Sequence, residues 1–180
     1  MAKVITFSRF FPAYHPKAGQ PTFFVEKIWA HLLLTCKMFP EDCEAFLTHE
    51  RCKGMFDLKK VNEFMFANTP KIHTIRAGSR WKKDDQFSPR VWSGKPYYSP
   101  QITFAPPLTV LKTEIIGTVM YGDEVRFWEP YKGSDWNHRP NMKQEHSLLE
   151  TEAIAKNDGL SVDDFRAWFS KGFEGQKIYF

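Results

Sequence analysis

The feature that most constrains this chain is a series of short β-branched or aromatic runs, "FSPRVW", "QITFAP", "LTVLKTEIIGTVM" and "EVRFWE", cut apart by Pro, Gly and Asp. Runs this short cannot sustain a helix of their own, but they pair readily as strands, and several strands at this spacing suggest a small barrel. The opening "KVITFSRFF" alternates Val4, Thr6 and Ser8 against Ile5, Phe7 and Arg9, so it reads as a further strand, and "GQKIYF" closes the chain as another. A chain of 180 residues fits one domain and can bury a substantial core. Its 17 Phe and 6 Trp suit such a core as well as they suit stacking platforms.

Helical signals interrupt the β pattern. "PAYHPKAGQP" cannot continue the first strand. In "FFVEKIWAHLLLTC" the residues Phe24, Ile28 and Leu32, with Val25, Trp29 and Leu33, fall at three- and four-residue spacings, which predicts an amphipathic helix with Thr22 as N-cap. The stretch from Phe39 to Pro70 predicts shorter helical turns broken by Pro40 and Gly54. "SLLETEAIAKND" reads as a helix capped by Gly159, and Ser161 with Asp164 resembles a capping box opening a last helix. The order, a strand, a helical segment, a β cluster, two helices and a strand, predicts a single α+β domain over residues 1–180.

Charge and cysteine usage narrow the partners. A formal net charge of +4 and a pI near 8.9 permit an anionic partner without demanding one. No run approaches the roughly 18 apolar residues that span a bilayer, and the N-terminus lacks a signal-peptide pattern, so a cytoplasmic protein with no membrane partner is expected. Cys36, Cys43 and Cys52 are odd in number and unevenly spaced, which argues against a disulfide framework. His49 lies three residues before Cys52, but without a Cys-x-x-Cys pair no metal site is expected. Nothing in the sequence calls for a cofactor.

The chemistry concentrates in "PKIHTIRAGSRWKKDD", residues 70–85. A threonine hydroxyl becomes a nucleophile when a base or a positive neighbour favours its alkoxide. Lys71 stands three residues before Thr74, and His73, Arg76 and Arg80 supply further positive charge. The plain alternative has Lys71 in solvent and Thr74 filling a strand. Arg76 and Arg80 suit a bidentate phosphate clamp around Gly78, or else they answer Asp84 and Asp85. Those aspartates read as a turn and strand entry, not as metal ligands, because no third carboxylate is suitably spaced. Trp81, Trp92, Tyr97, Tyr98 and Trp128 are candidates for stacking bases or for filling the core. "WEPYKGSDWNHRP", residues 128–140, mixes aromatics with charge in a predicted loop and points to a ligand surface. Asp158 ends a predicted helix, where the dipole disfavours a carboxylate, so its presence needs a reason.

Taken together, "ITFSRFF", "KIHTIRAGSRWKKDD", the β cluster, "IAKNDGLSVDDFRAWF" and "GQKIYF" resemble the ASCH family of the PUA-like superfamily. Lys71, Thr74 and Arg76 match its Lys-x-x-Thr-x-Arg segment, and Asp85 matches the aspartate of its Gly-Asp. Asp84 stands where the family usually has glycine. The resemblance covers residues 1–11 and 70–180. It implies that the PUA-like β-barrel carries helices at its rim, that residues 14–68 are a helical insertion, and that a cleft is suited to RNA or a modified nucleoside. Around that cleft it would make Arg76, His73, Arg80 and Trp81 ligand-binding residues. Some short bacterial members are amidohydrolases that remove the acetyl group from N4-acetylcytidine. By that likeness Thr74 would be the nucleophile and Lys71 its activator. Asp158, one methylene shorter than the family's glutamate, would handle protons. A third reading makes the insertion a docking surface for a protein partner, with the barrel as scaffold.

Overall fold

The computed structural model describes residues 3–48, 52, 54–122, 124–130 and 146–180. In chain order these hold β1 (Lys3–Thr6), α1 (Phe24–Leu34), α2 (Pro40–Thr48), α3 (Leu58–Phe66), β2 (His73–Ala77), β3 (Gln86–Trp92), β4 (Gln101–Thr103), β5 (Leu108–Thr109), β6 (Lys112–Tyr121), β7 (Glu124–Pro130), β8 (His146–Leu148), α4 (Thr151–Asn157), α5 (Val162–Trp168) and β9 (Glu174–Tyr179). The class is α+β, as the alternation of short β runs and helical periods predicts. Among the described residues no helix is long and apolar enough to cross a membrane.

Strand pairing divides the β structure into two sheets instead of one continuous barrel. In the first, β3 pairs in parallel with β1 and antiparallel with β4 and β5. The second is antiparallel throughout, in the order β2-β9-β6-β7-β8. The chain passes from one sheet to the other where β5 leads into β6, a corner held by Val110 N–H on Asp85 O (2.8 Å) and Leu111 N–H on Tyr179 O (2.8 Å). At the opposite side the edges β1 and β2 are joined by a side chain: the Arg76 guanidinium donates from Nη2 to Thr6 O at 2.8 Å.

Alternation along the second sheet gives it two apolar faces. Ile178 and Phe180 join Phe7, Phe87, Phe104 and Val110 in one core, and α1 adds Val25, Ile28, Trp29 and Leu32 to the same cluster. Trp29 Nε1–H donates to Phe104 O at 2.7 Å, satisfying the indole inside that core. The segment read as an insertion is thus built into the main core through α1. Ile75, Ile116, Val125 and Phe127 face the other way and are covered by Ile154 and Ala155 of α4 and Phe165 of α5.

Three local expectations need correction. The N-cap of α1 is Phe23, in the left-handed region at φ 56°; the Thr22 hydroxyl, read as the cap, accepts only from Phe24 N at 3.3 Å. The opening strand stops at Thr6, after which only Phe10 bridges to Pro21. His146–Leu148, read as loop and helix start, pair with β7, because the free edge of β7 offers backbone partners that local propensity does not register. The cap signals hold: Gly159 takes φ 77° beyond α4, and Asp164 N–H donates to the Ser161 hydroxyl at 3.2 Å.

Candidate functional site

The site lies where β2 begins beside the C-terminus of α4. Ile72 N–H donates to Asn157 O (2.9 Å) and Lys71 N–H to Lys27 O (3.1 Å), which fixes the chain between α4 and α1. Lys71 is 1% exposed; its Nζ donates to Asp158 Oδ1 at 2.5 Å and to Asp158 O at 2.6 Å, and lies 4.2 Å from the Phe24 ring centroid. Lys27 Nζ donates to Gly159 O at 2.5 Å. The helix end therefore presents its carbonyls to two ammonium groups, which offsets the dipole penalty on Asp158 and supplies the reason its presence needed. Gly159 permits the approach, since a Cβ there would stand 3.2 Å from Lys71 Cβ.

Every ionisable group of the cluster is displaced toward its neutral form by loss of water. Burial lowers the pKa of Lys71, while the Asp158 charge opposes it. Burial raises the Asp158 carboxyl, opposed by Lys71, Arg76 and Lys27. Burial brings Lys27 down to about 8 and Arg76 down to about 10. His73 lies well below its ordinary value through burial and the neighbouring Lys71 and Lys177. Its Nε2 is 3.8 Å from Asp158 Oδ1, and neither ring nitrogen has a hydrogen-bond partner among the described residues. The neutral imidazole is thus left with an unused donor and acceptor in the interior.

Thr74 does not meet Lys71 as an activated pair. Alternation along β2 places His73 and Ile75 on one face and Thr74 and Arg76 on the other, where Thr74 lies opposite Ile178 and Arg76 over the Phe7 ring. No hydrogen bond joins the Thr74 hydroxyl to Lys71 or Asp158 among the described residues. The arrangement can hold a proton within the Lys71–Asp158 pair and offer positive charge from Arg76; as it stands it does not deprotonate Thr74.

The remaining candidates are dispersed. Arg80 is exposed, its Cζ 5.2 Å from the Trp81 ring, and it does not converge with Arg76 on a shared partner. Trp81 is 2% exposed and packs edge-on against Phe87, and its backbone is clamped on both sides by the Gln176 amide. Asp85 accepts from Lys82 N–H (2.8 Å) and Lys3 Nζ (2.6 Å), so the turn role is as expected but the cation is Lys3 instead of an arginine. Tyr97 and Tyr98 are exposed beside half-buried Trp92. Residues 131–140 of the predicted ligand loop and His49 lie outside the described residues. Among the described residues no group of His, Cys, Asp and Glu could hold a metal ion.

Two members of the cluster, Phe24 and Lys27, were not anticipated from sequence. The signal was present in "FFVEKIWAHLLL", where a charged pair, Glu26 and Lys27, interrupts an otherwise apolar helix start. Comparison with known proteins adds no relative to the site: no family model, no curated protein and no solved structure matches the chain.

Proposed function

We propose that the chain is a PUA-like protein of the ASCH type that binds RNA or a modified nucleoside around Lys71, Thr74 and Arg76. The observation that carries this reading is the burial of Lys71, His73 and Asp158 together beside half-buried Arg76, with both His73 nitrogens unpartnered among the described residues. Burying an ion pair rarely adds stability over an apolar pair of equal volume, so such a cluster is better accounted for by a ligand than by the fold. The barrel part of the reading is supported by the β5–β6 corner and by the Arg76 bond across the β1–β2 seam, which bring two sheets around one core. Calorimetric titration with short RNAs and free nucleosides tests it. Wild-type protein should bind and folded Arg76→Ala should bind at least tenfold more weakly, the loss of a bidentate charged contact being worth about 1.5–3 kcal/mol. No binding by wild type, or equal binding by the variant, would sink the proposal.

A second reading, removal of an acyl group from N4-acetylcytidine or a related nucleoside, is favoured by one observation. Lys71 and Asp158, two of the three residues the ASCH resemblance assigns to that chemistry, are in direct contact, with Thr74 three residues along. Incubation with N4-acetylcytidine, followed by chromatography, should then release cytidine, and Thr74→Ala should release none. Turnover that survives in Thr74→Ala rules out this route.

A further inference from the structure

A cavity lies beside Phe24, and its other lining residues take no part in the Lys71–Asp158 cluster. It has a volume of about 150 Å³ and is walled by Phe10, Phe23, Phe24 and Phe56, with Arg9 and Glu26 on its lining. Pro21, Gly54 and Asp57 at its rim are exposed, so it opens to solvent.

Of its three charged side chains, Asp57 accepts from Lys59 N–H at the rim, and Glu26 and Arg9 form no ion pair with each other. Glu26 is 6% exposed; its carboxylate accepts from Asp57 N–H at 3.3 Å and forms no ion pair among the described residues. Half-buried Arg9 places Cζ 5.1 Å from the Phe10 ring and 6.0 Å from the Phe56 ring; its one hydrogen bond among the described residues is a long one, Nη1 to Ser93 O at 3.5 Å. A buried carboxylate normally takes a cation at contact distance, and a guanidinium has five N–H groups to place. Here both side chains line the cavity without a cation or carboxylate at contact distance among the described residues. Phe23, one of the walls, sits in the left-handed region at φ 56°, where a bulky residue is costly and is found where the surroundings impose it.

We infer that this cavity is a binding site for a pyrimidine base, with Glu26 accepting a ring or amino N–H, Arg9 donating to a neighbouring carbonyl or ring nitrogen, and the phenylalanines enclosing the ring. The size sets the class: about 150 Å³ is the volume that admits a benzene ring, so the pocket seats a six-membered heterocycle, and a fused purine would leave its second ring outside at the open rim. The polar groups set the edge: a carboxylate and a guanidinium on one apolar slot match a ring that carries an N–H donor beside an acceptor. The choice of a nucleobase rests on the functional reading above, but the residues are different ones, and Gly54 and Asp57 come from the segment that the ASCH resemblance leaves uncovered.

Titration of the full chain with cytosine, uracil and adenine tests the assignment. Cytosine or uracil should bind and adenine should bind at least tenfold more weakly. Glu26→Gln should lower pyrimidine affinity about tenfold, the difference between a charged and a neutral hydrogen bond, while the melting temperature stays level or rises, because an unpaired buried charge is removed. Arg9→Met, at the half-exposed mouth, should lower affinity similarly. Absence of pyrimidine binding, adenine bound as tightly, or unchanged affinity in both variants overturns the inference. So does a Glu26→Gln variant that melts well below wild type while Arg9→Met binds normally. Nucleoside binding that requires Arg76 but survives Glu26→Gln removes this site and leaves the functional reading standing; pyrimidine binding that requires Glu26 but not Arg76 does the reverse.

Discussion

Replacing Lys71 by methionine gives the sharpest test of the buried cluster. The substitution keeps an apolar stem of similar volume but removes the ammonium from Asp158 Oδ1, from the Asp158 carbonyl and from the Phe24 ring. Asp158 is 5% exposed and would be left buried with His73 Nε2 at 3.8 Å as its nearest remaining ion-pair candidate. Breaking a buried pair in this way costs about 3–5 kcal/mol, a large part of the ~5–15 kcal/mol that holds a domain folded. With a urea m-value of about 2 kcal/mol/M, the midpoint of unfolding should fall by roughly 1.5–2.5 M. Asp158→Asn should also destabilise, by about 3 kcal/mol or less, because a lysine stranded in the interior can shed its proton and still donate to the carbonyl. The double variant should cost no more than the worse single one, giving a coupling energy of about 2–3 kcal/mol in the cycle. Equilibrium urea unfolding of the four proteins at pH 7 measures this. Additivity within about 0.5 kcal/mol, or a Lys71→Met cost below about 1 kcal/mol, would refute the claim that the two charges hold one another inside.

Three further outcomes follow from single residues. Burial raises the Glu114 carboxyl, but hydrogen bonds from Lys177, Lys112 and Tyr179 outweigh it and bring it to about 2 from its ordinary 4.5; its contribution is complete above 4.5 and lost as pH falls through 2, so Glu114→Gln should flatten acid unfolding over that range. Lys27 has the opposite sense: burial holds it at about 8 against an ordinary 10.5, the unfolded chain binds the extra proton between those values, and stability should rise with pH from 8 to 10.5 in wild type and less so in Lys27→Met. Gly159→Ala should destabilise by about 1–2 kcal/mol, the cost of a side chain in the left-handed region, with a Cβ 3.2 Å from Lys71 Cβ adding to it; a melting temperature equal to that of wild type would contradict this.

What could be read from the sequence was what local physics decides. The β runs, the amphipathic face of α1, the Gly159 turn and the Ser161–Asp164 cap are each written within a few residues, and each is present. What could not be read depends on partners far along the chain. Lys71 and Asp158 stand 87 residues apart, and the resemblance groups them but no spacing does; one helix end brings them to 2.5 Å. Trp81 looks like a stacking platform beside Arg80, yet Gln176, 95 residues on, pins its backbone and the ring closes into the core. Arg76 looks like half of a phosphate clamp, yet it spans 70 residues to Thr6 and holds two sheet edges together. Thr22 was the better cap by chemistry, but its hydroxyl donates to Ser8 O at 2.7 Å, and Phe23 stands at the helix start instead. Residue type was a sound guide to which positions are unusual and a poor guide to which face they take.

The Lys71–Asp158 contact also separates the two functional readings on physical grounds. An activator of Thr74 must present a free lone pair, and burial alone moves Lys71 in that direction. The carboxylate at 2.5 Å works against it by holding the proton on the amine, so the pair at rest is an ammonium and a carboxylate without a base for Thr74. Binding at half-buried Arg76 requires no rearrangement of charge, whereas His73 is fully buried on the opposite face of β2, its ring nitrogens without a hydrogen-bond partner among the described residues. Turnover requires the ligand itself to part Lys71 from Asp158, which substitutes its own polar groups for a buried ion pair and draws on its binding energy to do so. Only a substrate held tightly by groups remote from the scissile amide can meet that cost. On these grounds the proposed recognition asks less of the resting pair than the proposed hydrolysis does.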